Sequence, residues 1–239
     1  MRIAMWSGPR NLSTALMYAF GNRADMHAVD EPFYGPYLRA TGLPHPMRDA
    51  VLASRRAGAD AVMAELLGPI PDGKPHAYHK HMCQHMVPGI PRSLMADCTN
   101  VFLLRHPARV VASFTKAYDH TTADDIGFAA QVALFDEVRA MGQTPLVIDS
   151  ADIRQHPEKA LRVLCDALGL DWDPDMLSWP MGPKACDGVW AAHWYASVHG
   201  STGFAGPEGP LPELQGTARA LASDAMDHYN TLAKHKLLL

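Results

Sequence analysis

The first twenty residues, MRIAMWSGPRNLSTALMYAF, constrain the fold of this chain more than any other stretch. Arg2 to Trp6 holds a short apolar run, Ser7 to Asn11 collects Gly, Pro and Asn, and an apolar pattern resumes at Leu12, Ala15, Leu16 and Ala19. That change of period reads as strand, tight loop, helix. Such a junction aims free backbone N–H groups and the positive end of a helix dipole at whatever sits in the loop, which makes it a ready anion site. Arg10 adds a fixed cation, and Ser13 and Thr14 add hydroxyls in the first helical turn. An ordinary strand–helix connection with a capping Ser is the plainer alternative. The phosphate-loop pattern GxxxxGK(S/T) does not occur, so an ordinary nucleotide hydrolase is not indicated.

Length sets the scale: 239 residues suffice for a large core and favour one domain over 1–239. A formal charge of -4 argues against a generic polyanion binder, so no nucleic-acid partner is expected and any anion pocket must be local. Cys83, Cys98, Cys165 and Cys186 show no CxxC and no regular spacing, which suits reduced, buried thiols. Polar residues interrupt the N-terminal apolar run at Ser7, Arg10 and Asn11, and no run approaches a membrane span. A soluble, cytoplasmic protein is expected; the oligomeric state stays open, with a homo-oligomer allowed.

After the first helix, Met26 to Val29 forms a second strand that runs into Asp30, Glu31 and Pro32. Pro32 stops the strand and is expected to hold Glu31 extended at its end, where open parallel sheets place their ligand crevice. Adjacent strand residues point to opposite faces, which would separate Asp30 from Glu31. A solvated acidic turn is the alternative. The Gly- and Pro-rich residues 35–46 read as a loop, entered through Phe33, Tyr34 and Tyr37, which line a pocket or belong to the core.

Met47 to Leu67 reads as one helix. HAYHKHMCQHM, His76 to Met86, contains four histidines, but HExxH and paired CxxC are missing and no metal site is expected. Instead, a strand over Ala77 to His81 would deliver Lys80, His81 or His85 to the same rim as Glu31. The second sharp element is NVFLLRHPARVVASFTKAY, Asn100 to Tyr118. Val101 to Leu104 suits a strand buried on both faces, Arg105 stands at its end, and Pro107 opens a helix with Val110, Val111, Phe114, Ala117 and Tyr118 inward. Ser113 follows Arg105 by eight residues, so one anion near the helix start could be held by both; a structural ion pair is the alternative for Arg105.

SGPRNLST after a first strand and RHPARVVAS after a later one resemble, in order and spacing, the two signature segments of the sulfotransferase family, which binds the donor 3′-phosphoadenosine 5′-phosphosulfate. The first resembles the 5′-phosphosulfate loop, usually Pro-Lys-Ser-Gly-Thr, with Pro9, Arg10 and Ser13 or Thr14 at matching positions. The second resembles the 3′-phosphate segment, matched by Arg105, Pro107 and Ser113. Pro145 to Ile153 and Pro157 to Leu177 look like the family's fifth strand and following helix, so the likeness runs to about residue 180. Arg10 stands where the commonest members have Lys, and Asn11 and Leu12 replace Ser and Gly. The family's C-terminal Arg-Lys-Gly loop is not evident, with Lys184 and His199 to Phe204 as candidate substitutes.

The resemblance implies an α/β, three-layer α/β/α fold with a central parallel sheet, P-loop/sulfotransferase-like. The rest of the chain agrees: Asp124 to Met141 reads as a helix, Pro145 to Asp149 as a strand, Pro157 to Leu168 as a helix stopped by Gly169, and Leu211 to Leu239 as a closing helix. Residues 178–212 read as a lid carrying Trp190, Trp194 and Phe204, or as a packed irregular excursion.

By the same resemblance the reaction is sulfuryl transfer from that phosphosulfate donor to a hydroxyl or amine of a small-molecule acceptor. Gly8, Pro9, Arg10, Asn11, Leu12, Ser13, Thr14, Arg105 and Ser113 are the expected donor-binding residues. The family takes the acceptor's proton with a Glu after the second strand or a His after the third. Glu31 matches the first solution and His81 and His85 only roughly match the second; Glu31, Arg10, His85 and Lys80 are therefore the catalytic candidates. A nucleotide- or phosphate-binding protein of this fold, kinase-like or non-catalytic, is the competing class.

Overall fold

A computed structural model of the chain describes every residue except Ala117 and Asp119. Five parallel strands, β1 (Arg2–Ser7), β2 (Met26–Asp30), β3 (His76–Met82), β4 (Thr99–Leu104) and β5 (Leu146–Asp149), form one sheet in the order β2-β3-β1-β4-β5. β1 is central because it is apolar on both faces. Ile3 and Met5 enter one core beneath α1 (Ser13–Gly21), while Ala4 and Trp6 enter the other with Phe102, Leu134 and Phe135. Both faces are therefore covered by helices, the condition under which a parallel sheet is stable.

The helices differ from expectation at several Gly and Pro positions. Residues 34–41 are not loop but α2 (Tyr34–Thr41): Pro36 lies in its first turn, where a missing N–H costs nothing, and Gly42 closes it at φ 69. The single helix expected over 47–67 is two, α3 (Arg48–Ser54) and α4 (Ala59–Leu67), parted at Gly58. After α5 (Pro107–Phe114), the helix expected from Asp124 is likewise two, α6 (Ala123–Ile126) and α7 (Phe128–Ala140), broken at Gly127 with φ 70. α5 buries Val110 and Val111 and ends at Phe114; Ala117 lies outside the described residues.

A short α8 (Ser150–Gln155), capped by Asp149, precedes α9 (Pro157–Leu168), whose buried stripe is Ala160, Leu161, Leu164, Cys165 and Leu168 with Gly169 closing it at φ 70. The expected closing helix is again two, Gly216–Asp224 and Met226–Ala233, after which Leu237 donates to the Val147 carbonyl at the β5 edge. Among the described residues no helix is long and apolar enough to cross a membrane.

Candidate active site

The carboxyl ends of β1 to β4 open into one cavity of about 540 Å³. Of the residues expected there, Pro9, Arg10, Asn11, Leu12, Ser13, Thr14, Glu31, Lys80, His85, Arg105 and Ser113 line it, as do Tyr34 and Tyr37. Gly8 does not. It packs beneath the loop, where a Cβ would stand 2.7 Å from the Ile126 carbonyl oxygen. Phe33 and His81 also lie elsewhere, stacked together under the sheet with Trp6. Strand alternation sends His79 and His81 to one face of β3 and Lys80 to the other, so the histidine run is divided. Among the described residues no group of three or more His, Cys, Asp or Glu could hold a metal ion.

The β1–α1 loop is unusual for non-glycine residues: Arg10 has φ 62 and Leu12 φ 70. Left-handed backbone at two such positions costs energy that the surroundings must supply. Both residues line the cavity at the start of α1. Leu12 and not a Ser is the N-cap of α1, with no side-chain cap hydrogen bond among the described residues, so the amides of the first turn remain for a ligand. Arg10 Nε donates to Ser113 Oγ at 2.8 Å, and Arg105 Nη1 donates to the Arg10 carbonyl at 2.5 Å, joining the two expected donor segments directly. Burial and the neighbouring Arg105 both push the Arg10 pKa down.

The opposite wall is acidic and buried. Glu31 is not held extended by Pro32; its φ is 37. That left-handed turn defeats the alternation expected of a strand and brings Asp30 and Glu31 to the same cation. Lys80 Nζ lies 2.9 Å from Asp30 Oδ1, 2.5 Å from Glu31 Oε1 and 2.8 Å from the Tyr195 hydroxyl. Tyr195 in turn donates to Asp30 at 2.8 Å and accepts from Trp190 Nε1 at 3.2 Å, while the Gly188 amide donates to Asp30 Oδ2 at 3.1 Å.

Burial alone would discharge Lys80, but the two carboxylates outweigh it and hold its pKa above the ordinary value. Burial raises the Asp30 carboxyl, and burial together with the two carboxylates keeps Tyr195 a neutral phenol. The other Glu31 oxygen, Oε2, faces His85 Nε2 at 4.0 Å. His85 is sandwiched by Tyr34 and Tyr37, with ring centroids 4.7 and 4.6 Å away, and burial pushes its pKa well below the usual imidazole range.

Residues 178–212 are in part a wall. Trp190 is fully buried in the core beside Tyr34 and does not cover the cavity, whereas Trp194 and Tyr195 line it. Phe204 packs on Trp179. Neither candidate substitute for the Arg-Lys-Gly loop reaches the cavity: Lys184 Nζ donates to the Pro180 carbonyl, and His199 pairs with Asp187 at 3.0 Å. Tyr195 is a site residue that the sequence does not single out, because nothing in WYASVHG distinguishes it from a core aromatic; His45 and Gln84, which also line the cavity, are others.

A family model described as Sulfotransferase domain matches residues 1–236. This chain belongs to the sulfotransferase domain family. The sulfotransferase fold is shared with the sulfotransferase domain from the curacin biosynthetic pathway, at 17% identity and a TM-score of 0.56 over 94% of this chain and 96% of that one. A sulfotransferase from Alicyclobacillus acidocaldarius matches at 15% identity and a TM-score of 0.58 over 98% and 96%. Two curated Arabidopsis thaliana proteins are nearer in sequence. Branched-chain-amino-acid aminotransferase-like protein 1 is 36% identical over 98% of this chain and 42% of its own length. Branched-chain-amino-acid aminotransferase-like protein 2 is 34% identical over 86% and 36%. The sulfotransferase domain thus spans less than half the length of those relatives.

Proposed function

We propose that this sulfotransferase domain moves a sulfuryl group from 3′-phosphoadenosine 5′-phosphosulfate to a hydroxyl or amine of a small-molecule acceptor. The observation that carries the proposal is that one cavity is lined at one end by Arg10, Arg105, Ser113 and an uncapped helix start, and at the other by Glu31. The donor set fits a nucleotide with two separate anionic groups: a cation and free amides near β1, and a guanidinium with a hydroxyl near β4.

In this assignment Arg10 and the loop amides stabilise the charge that develops on the phosphate oxygen as its bond to sulfur breaks. Arg in place of Lys supplies two parallel N–H groups instead of a point charge. Arg105 and Ser113 fix the register of the nucleotide by its 3′-phosphate. Glu31 accepts the acceptor's proton as the new bond to sulfur forms. His85 is the weaker candidate, because an imidazole whose pKa is strongly depressed is a poor base. Asp30, Glu31 and Tyr195 occupy the three N–H directions of Lys80, so Lys80 positions Glu31 and does not touch the acceptor.

Adenosine 3′,5′-bisphosphate should raise the melting temperature well above any effect of ATP. A ligand binding only the native state at a hundredfold excess over its dissociation constant stabilises it by about 2.7 kcal/mol. Equal responses would favour a kinase-like nucleotide binder, and no sulfated product from labelled donor and pooled metabolites would favour a non-catalytic one.

A further inference from the structure

Three arginines converge on one carboxylate of the same chain. Arg105 at the end of β4, Arg109 in the first turns of α5 and Arg154 on α8 all pair with Glu208. Arg105 and Arg154 share Oε1, with Arg154 Nη1 at 2.8 Å, and Arg109 Nε lies 3.1 Å from Oε2. The Glu208 side chain is 5% exposed although Gly206, Pro207, Gly209 and Pro210 around it are exposed and outside regular secondary structure. Three cations on one monoanion leave the cluster with an excess of positive charge, a better match for a phosphate dianion than for a carboxylate.

Arg105 also lines the cavity assigned above to the donor, so the cluster and the nucleotide site share a residue. We propose that Glu208 is a displaceable stand-in for the donor's 3′-phosphate: Arg109 and Arg154, which lie behind the cavity wall, complete with Arg105 and Ser113 the phosphate receptor, and Glu208 leaves it, carrying residues 205–210, when the nucleotide enters. This rests on the donor assignment. Exchange of one anion for another keeps an anion against the guanidinium groups, which lowers the cost of stranding half-buried charge, although the bonds from Arg109 to the Gly209 carbonyl and from Arg154 to the Gly206 carbonyl leave with the segment. The same swap run backwards helps the spent nucleotide to depart. The carboxylate is tethered within the chain and re-enters without diffusion, acting as a competitor at high effective concentration.

Glu208→Gln keeps shape and removes the competing charge. Calorimetric titration should show adenosine 3′,5′-bisphosphate binding at least about tenfold tighter to the variant than to the wild type, because the fraction of protein with a vacant receptor rises, while AMP binds both alike. A second measurement needs no variant. A protease specific for glutamate should cut the wild type after Glu208 faster when adenosine 3′,5′-bisphosphate is present, seen as a 1–208 fragment by mass. Unchanged or weaker bisphosphate binding in the variant, or a cut slowed or unmoved by the ligand, overturns the proposal alone. If the wild type does not prefer the bisphosphate to AMP, the donor assignment fails first and the proposal with it.

Discussion

The two ends of the cavity are built on opposite principles. At the carboxylate end, Asp30, Lys80 and Tyr195 are almost wholly excluded from solvent and each is paired by hydrogen bonds drawn from three parts of the chain. At the arginine end, Arg105 lines the cavity with Arg109 and Arg154 behind it; these side chains remain 17–21% exposed and are paired with a carboxylate on an irregular segment. Burial makes the first arrangement costly to disturb, and partial exposure makes the second cheaper to break. A group that must hold one geometry through many turnovers belongs in the first kind of environment, and a group that must bind and release an anion belongs in the second.

The largest effect expected at the rigid end is on chemistry. Glu31→Gln keeps an oxygen for Lys80 to donate to, so the fold and nucleotide binding should survive while turnover on a hydroxyl acceptor falls by about 10² to 10⁴. Steady-state rates of the two proteins with matched nucleotide affinities check this. Near-normal turnover, with loss instead in His85→Ala, would move the base to the turn after β3.

Next comes stability, and here the two ends should separate cleanly. Lys80→Met leaves Asp30 and Glu31 buried without their cation and should cost about 3 to 5 kcal/mol in urea denaturation. Arg105→Ala removes a partly exposed partner and should cost about 1 kcal/mol or less in the same experiment, while weakening of nucleotide binding is its expected functional effect. Equal losses would mean that the arginine end is as rigid as the carboxylate end.

What the residues alone reveal follows the same division. The β1–α1 and β4–α5 junctions are local: each is an apolar run, a turn and a helix within about twenty positions, and the sequence carries them almost completely. The Lys80 network is not local. Tyr195 is 115 positions from Lys80 and 165 from Asp30, and no spacing rule connects them. Glu31 was legible as a strand-end carboxylate, but not its left-handed backbone, since the proline that follows it argues for an extended conformation. For the same reason Asp30 looked separable from Glu31, whereas both grip Lys80. From the sequence Gly35 reads as a loop signal; in α2 it is needed because Arg55 passes so close that a Cβ would stand 2.5 Å from the Arg55 Cβ.

The effect that vanishes at neutral pH tests whether the rigid end also governs sensitivity to acid. His79, His81 and His85 all emanate from β3 and the turn after it, and burial pushes all three pKa values down, that of His79 to about 4. In the unfolded chain each titrates near about 6.5. Below that pH the unfolded chain therefore binds protons that the folded chain refuses, and stability must fall as pH drops toward the folded values. Each such histidine adds a slope of about 1.4 kcal/mol per pH unit. His81, stacked on Trp6 with ring centroids 4.4 Å apart and with no partner for Nε2 among the described residues, can become Phe without stranding a polar group. Urea denaturation of His81→Phe at pH 7, 6 and 5 should then show the acid slope reduced by that one-proton amount, with stability at pH 7 little changed. A variant that keeps the full wild-type slope would place the acid sensitivity outside the buried strand end.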